Sequence, residues 1–437
     1  MRVAGTTDRR LTARLAAAQR TGRLPSLVAV LVRAGEVVWA GHRGDRTGAG
    51  EAAPEDVQYR LGSITKTFTA VRVHQLVAEN LLGWHERVGS VLGGLDGADP
   101  TVRELVTHTA GLPAEPGVPW WEASPGRGWA ELVATGLGPE PALAAPGQFH
   151  YSNVGFALLG EVVARRSGRS WWDGVQERVL GPLDMARTTY LPQPPAAQGY
   201  SVHPYAGTLA LEPATDTGVM AAAGQAWGTA GDLARWLGFL LDGHPDVLPR
   251  EELLAAAHPQ AGDRHDRLGG AHGLGLMLLQ GGSGLLVGHT GSMPGFLAAC
   301  FVDHARGTGA AVLCNATTGL RPGLLARDLL ELLEECEPTV GEPWTPADDV
   351  PAPLQPLLGV WYWGNTPVVM TLEGGTVVGR VGGAPVHSFG LRDGRVVGLS
   401  GYHTGEQLHV VRSTDGAVSH LEVSSFELTR RPAADPG

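Results

Sequence analysis

Leu61-Gly62-Ser63-Ile64-Thr65-Lys66-Thr67-Phe68 contains the only lysine in a chain of 437 residues, since the other 32 of its 33 Lys+Arg residues are arginines. Arginine cannot release its proton at any workable pH, whereas a desolvated lysine can. The position that has stayed lysine is therefore one where proton exchange, and not positive charge alone, is the requirement. Ile64, Phe68, Val71 and Leu76 recur at helical spacing, which predicts a helix over about 64–80 that starts near Ser63. Ser63 and Lys66 are three residues apart on it and share a face. A serine at a helix N-terminus also has free backbone N–H groups and the positive dipole end beside it. That setting activates a hydroxyl and stabilises an oxyanion. Taken alone, the Ser-x-x-Lys pattern is weak and reads more often as an N-capping serine followed by an exposed lysine; that this lysine is the sole one is what raises it.

Composition narrows the classes. A chain this long is expected to form two domains, and 43% hydrophobic content is enough for a large core. The net charge of −11 and a pI of about 5.8 argue against nucleic-acid or anionic-membrane partners. No run approaches the roughly 18 apolar residues of a membrane helix. Arg9-Arg10 invites a twin-arginine reading, but Arg14, Arg20 and Arg23 break up the residues after it, so no apolar signal core forms and a cytoplasmic location is expected. Cys300, Cys314 and Cys336 are odd in number and lack metal-ligand spacing; they are expected to be small buried core residues. The 16 histidines form no His-Glu-x-x-His pattern and no Gly-rich phosphate loop is present, so neither metal nor organic cofactor is expected.

Along the chain, an Arg-rich helix over about 8–22 precedes Leu27–Val32 and Val37–Gly41, two apolar runs about a Gly35 turn that read as a hairpin. Residues 100–260 read mostly as helices joined by Gly/Pro loops, including Phe156–Arg166 and Leu233–Leu241. Short strands return at Leu285–His289, Leu297–Val302 and Ala310–Leu313, and a helix over 321–335 closes the block. Strands distant in sequence around a helical insertion imply an α/β (α+β) fold: one antiparallel sheet flanked by helices, with a helical subdomain. Six prolines between Pro338 and Pro356 mark 337–357 as a stiff linker. It separates a large domain, 1–336, from a small all-β domain, 358–437, whose apolar/polar alternation is cut by glycine turns.

Two further stretches complete a constellation. Phe149-His150-Tyr151-Ser152-Asn153 precedes a helix, placing Tyr151 and Asn153 on a loop; a phenolate at Tyr151 would be favoured by a lysine cation and would serve as general base. His289-Thr290-Gly291-Ser292 ends a predicted strand, and Gly291 permits close backbone approach of a ligand. In this order, Ser63-x-x-Lys66, Tyr151-x-Asn153 and His289-Thr290-Gly291 resemble the three motifs of the serine β-lactamase/penicillin-binding-protein superfamily, in the branch of class C β-lactamases, D-Ala-D-Ala carboxypeptidases, D-aminopeptidases and family VIII esterases. Leu105–Pro113, Gly181–Met185 and Gly231–Ala234 support it. The resemblance covers about residues 10–336. It implies Ser63 as nucleophile, Lys66 as its proton partner, Tyr151 as base and later acid, and Asn153 as orienter of Lys66 and of a substrate amide. The backbone N–H groups of Ser63 and Ser292 would form the oxyanion hole, with His289, Thr290 and Gly291 lining the pocket.

One position departs from the pattern: the third motif of β-lactamases and carboxypeptidases in this group usually begins with lysine, and here it is His289. With a reference pKa near 6.5, histidine is mostly neutral at pH 7, and recognition of a substrate carboxylate would depend on its protonation. A serine hydrolase working through an acyl-enzyme on an ester, amide or D-amino-acid peptide is therefore expected. β-Lactamase, D-Ala-D-Ala carboxypeptidase, acyltransferase and a non-catalytic ligand-binding protein of the same fold are the alternatives. A small molecule or short peptide is the expected partner, and no oligomeric state can be read from the residues.

Overall fold

A computed structural model describes residues 2–45, 47–48, 56–93, 99–118, 120–134, 147–262, 270–282, 284–340 and 343–433. They form two compact units that divide between Thr339 and Val340. In the first, the N-terminal helix α1 is Gly5–Gly22 and the hairpin is β1 (Leu27–Arg33) with β2 (Glu36–Arg43). The later strands are β3 (Ala261–Gly262), β4 (Gly270–His272), β5 (Met277–Gln280), β6 (Leu285–Met293), β7 (Phe296–Asp303) and β8 (Thr308–Cys314). They join the hairpin in one antiparallel sheet of order β2-β1-β8-β7-β6-β5-β4-β3. The closing pair of β1 with β8 runs from Leu27 opposite Cys314 to Arg33 opposite Thr308.

Period-two alternation divides each central strand between two cores. Val28, Val30 and Val32 of β1 face one cluster, while Leu27, Ala29 and Leu31 face the other. The same split sends Ala298, Cys300 and Val302 to the first and Ala299 and Phe301 to the second. A strand buried on both faces must be apolar throughout, which is why β1 reads as a continuous hydrophobic run. The second cluster is closed by α1 and a C-terminal helix, Pro322–Cys336. The first is closed by the helical block, whose principal helices are α2 (Thr65–Ala78), α3 (Asn153–Ser167) and α4 (Ala230–Asp242).

Helix α2 is the axis of that block. Every residue from Thr65 to Leu76 is buried, so its polar groups must find partners inside. Thr67 donates to Ile64 O (2.7 Å) and Thr69 to Ala222 O (2.9 Å). The predicted N-terminus near Ser63 is refined here. Gly62–Ile64 form a turn of 3₁₀-helix and the α-helix proper begins at Thr65. Cys300 and Cys314 are buried as expected, but Cys336 is partly exposed at the end of its helix and accepts from Arg10 Nη1 at 2.9 Å.

The second unit is all β. Its eight strands are Gly359–Trp363, Thr366–Glu373, Thr376–Val381, Ala384–Arg392, Arg395–Gly401, Leu408–Arg412, Val418–Val423 and Phe426–Thr429. Each pairs antiparallel with a neighbour around a core of Trp361, Met370, Phe389 and Leu421. A bridge between Val397 and Gln407 draws the two edge strands together, giving a nearly closed barrel. Residues 343–349 are exposed, with Trp344 at 85%. Independent folding of the two units is expected to show in limited proteolysis with a broad-specificity protease. Cleavage should fall first within 343–349 and leave two fragments that each unfold cooperatively. First cuts elsewhere, or fragments that lose their structure, would contradict it.

Candidate active site

The nucleophile candidate is set by a close approach of two backbones. Leu61 N donates to Ala226 O (2.8 Å), and Gly62 turns the chain with φ +55°. A Cβ at Gly62 would lie 2.6 Å from Ser292 N, and a Cβ at Gly291 only 1.9 Å from Leu61 O. Both positions therefore require glycine, and together they hold Ser63 against β6. Strand β5 pairs with β6 only as far as Gly288. The edge of β6 from His289 to Met293 thus lies free of β5, beside Ser63.

One helical turn on, Lys66 is fully buried. Its Nζ lies 2.9 Å from Ser63 Oγ, 2.6 Å from Asn153 Oδ1 and 2.6 Å from Ala223 O. Burial lowers its pKa from the usual lysine value to about 7, partly offset by the negative charges of Glu115 and Glu122. The neutral amine has two N–H groups and one lone pair. Asn153 Oδ1 and Ala223 O can only accept, so they take the two N–H groups and leave the lone pair facing the Ser63 hydroxyl.

One loop locks the second motif. Residues 108–114 clamp the segment before α3 through His150 N to His108 O (2.8 Å), Asn153 N to Ala114 O (2.8 Å) and Ser152 Oγ to Pro113 O (2.6 Å). Ser152 caps α3 by accepting from Gly155 N at 3.0 Å. Its own N–H donates to His108 Nδ1 (3.1 Å), which fixes the proton of that neutral ring on Nε2. His108, at φ +58°, stacks on Tyr151 with centroids 4.3 Å apart. This explains why Leu105–Pro113 accompanies the motifs.

Tyr151 sits with its ring centroid 5.0 Å from Lys66 Nζ and hydrogen-bonds to Ser63. Burial pushes its phenol pKa well above the ordinary range, the hydrogen bond with Ser63 only partly offsetting it. The expectation of a phenolate favoured by a lysine cation is thereby corrected. Desolvation keeps the phenol protonated and lowers the proton affinity of the amine, so near neutral pH the group available in its basic form is Lys66.

His289 is buried and its Nδ1 lies 2.6 Å from Thr290 O, so Nδ1 carries the proton in the neutral ring. Burial, with His272 and Lys66 nearby, holds its pKa well below 6.5. The expected protonation switch near neutral pH is therefore absent, and His289 is uncharged throughout that range. His272, its ring 6.0 Å from that of His289, is held at about 4, mainly by burial. Thr290 points to the opposite face of the sheet, with Oγ1 3.8 Å from Met277 Sδ and its methyl group toward Gly323. Ser292 is exposed. No group of three or more His, Cys, Asp or Glu among the described residues is placed to hold a metal.

Glu115 joins the site without any signal in the sequence. Its Oε1 accepts from Asn153 Nδ2 (2.8 Å) and its Oε2 from Trp121 Nε1 (2.6 Å). A carboxylate two residues beyond a loop motif has no periodic mark; only the fold brings it to Asn153.

The burial of His289 is checked by its imidazole resonance, assigned by difference with His289→Asn. Between about pH 5.5 and 8 it should stay in place, and movement with a midpoint near the reference value of about 6.5 would contradict a desolvated ring.

A family model described as Beta-lactamase matches residues 9–335, and one described as a domain of unknown function (DUF7586) matches residues 350–430. Esterase EstB of Burkholderia gladioli is 31% identical over 200 residues, covering 40% of this chain and 50% of the esterase. This chain spans about half the length, or less, of the curated relatives it matches. An octameric penicillin-binding protein homologue from Pyrococcus abyssi has the same fold, with a TM-score of 0.64 at 22% identity over 96% of this chain and 99% of its own. A D-stereospecific amidohydrolase from Streptomyces sp. has a TM-score of 0.60 at 26% identity, covering 76% of this chain and 98% of its own. Among the described residues no helix is long and apolar enough to cross a membrane.

Proposed function

We propose that this chain, which belongs to the beta-lactamase family, is a serine hydrolase that forms an acyl-enzyme on Ser63. The observation that carries the reading is the buried Lys66 amine, 2.9 Å from Ser63 Oγ and held by Asn153 Oδ1 and Ala223 O. Lys66 takes the serine proton as Oγ attacks the acyl carbon. The Ser63 and Ser292 N–H groups bind the oxyanion, and Tyr151, protonated at rest, gives its proton to the leaving group. The proton gathered by Lys66 restores the phenol. Water then completes the cycle by the reverse transfers.

An ester, an amide or a D-amino-acid peptide is the substrate class this site suits. A fixed cation at position 289 of β6 would hold a substrate carboxylate, and the neutral His289 offers none. The esterase and the D-stereospecific amidohydrolase among its relatives agree with that preference.

Ser63→Ala should abolish the intact-mass adduct formed with a fluorophosphonate, and Lys66→Arg should slow its formation by at least roughly 10²-fold, the low end of general acid–base catalysis. Labelling of Ser63→Ala at the parent rate would overturn the nucleophile. Near-parental rates in Lys66→Arg would overturn the proton-transfer role. Faster acylation by β-lactams or carboxylate-bearing peptides than by neutral esters and amides would overturn the substrate class.

A further inference from the structure

Asn153 is the only side-chain amide hydrogen-bonded to Lys66 among the described residues, and it serves the amine only if it presents oxygen and not nitrogen. The two ends of an amide are nearly equal in shape, so its orientation must be dictated by a neighbour. Glu115 supplies that neighbour. A carboxylate accepts and cannot donate, so Glu115 Oε1, 2.8 Å from Asn153 Nδ2, compels the nitrogen to face it. Oδ1 is then turned to Lys66 Nζ at 2.6 Å. The carboxylate is itself anchored, since Oε2 accepts at 2.6 Å from the indole of Trp121, which is 7% exposed. A continuous chain of donors and acceptors thus runs Trp121–Glu115–Asn153–Lys66–Ser63.

Resting on the serine-hydrolase reading above, we infer that Glu115 is a positioning residue for the reaction: it fixes the Asn153 amide and places a negative charge behind the Lys66 amine. Neither effect requires Glu115 to touch substrate. Its charge acts on the proton affinity of Lys66 through one intervening amide.

The charged and titratable groups around Lys66 are few. Glu115 and Glu122 raise its pKa against burial. His108, His272 and His289 are all held well below their ordinary pKa by burial and stay neutral near pH 7, and the Tyr151 phenol stays protonated. Glu122 lies with its carboxyl raised by burial and accepts from Trp120 Nε1 at 3.2 Å. Its hydrogen bonds do not reach Asn153, so it adds charge without orienting the amide. Glu115 alone joins the two effects.

Acylation needs the neutral amine, so its rate rises with pH as Lys66 loses its proton. Removing the Glu115 charge makes the ammonium less favourable and should move this acidic limb to lower pH. Because Glu115 is exposed, solvent screens the effect. Roughly half a pH unit is expected, below the 1–3 units given by a close desolvated partner.

The test is the second-order rate of fluorophosphonate adduct formation, read by intact mass between about pH 5 and 9. Parent chain, Glu115→Gln, Glu115→Asp and Ser63→Ala are compared. Glu115→Gln should shift the limb to lower pH and reduce the plateau rate several-fold, because its amide nitrogen competes with the donors of Asn153 and Trp121. Glu115→Asp keeps the charge and should leave the limb in place, even where its shorter side chain lowers the plateau. A limb unmoved in Glu115→Gln, or moved as far in Glu115→Asp, would overturn the inference. Ser63→Ala separates the two readings. If it still forms the adduct, the serine-hydrolase reading fails; if it does not, an unmoved limb counts against Glu115 alone.

Discussion

Burying one primary amine is the constraint on which the rest of the site depends. Lys66 has no exposed surface, and desolvation disfavours its charged form strongly enough to bring its pKa to about 7. An ammonium in that place without acceptors would be very unfavourable, so three oxygens are arranged around it. They come from three separate segments: the turn at Ser63, the start of α3 and the short helix at Ala221–Gly224. Their convergence requires α2 to be wrapped on every side, which is why Thr65–Leu76 is buried without interruption. The cost appears in stability. The unfolded chain holds a proton on this lysine up to about pH 10.5, whereas the folded chain releases it near 7. The contribution of Lys66 to stability therefore rises as pH climbs through that window and is least favourable below it.

Much of this was legible before any coordinate. The hairpin, the helix that carries Lys66, the later strands and the final helix each carried a strong local pattern: an apolar run around Gly35, a 3.6-residue period, strands cut by glycine. Their union into one sheet was implied by the order of elements, because the β1 partner lies nearly three hundred residues further on, at β8. Less visible was the turn of 3₁₀-helix before α2. Helical periodicity marks apolar positions but not the left-handed Gly62 that lets the chain approach β6. Cys336 shows the same limit, since composition treats three cysteines alike while only two face the cores.

At the site, residue types and spacing pointed to Ser63, Lys66, Tyr151 and Asn153, and the fold places them in one cluster. What spacing could not convey was the direction of the electrostatics. A tyrosine beside a lysine reads as a phenolate stabilised by a cation; desolvation acts on both groups and reverses the order. His289 reads as a switch because its free imidazole titrates near neutrality, yet burial removes that titration from the range. Thr290 reads as a pocket residue, and strand alternation turns its side chain to the other face of the sheet. Glu115 was unreadable for a different reason: its partner Asn153 is 38 residues away, and the loop that joins them has no period.

Because Lys66 is the only lysine, its titration can be followed without assignment. A chain grown with lysine labelled with ¹³C at Cε gives a single side-chain resonance. Its chemical shift, recorded against pH in the folded protein, reports the protonation of that one amine. A midpoint near 7 is the result that burial of the amine predicts, with the denatured chain titrating near the ordinary value of 10.5. A folded-state midpoint near that ordinary value would mean that the amine stays charged beside Ser63, and proton exchange at Lys66 would lose its physical basis.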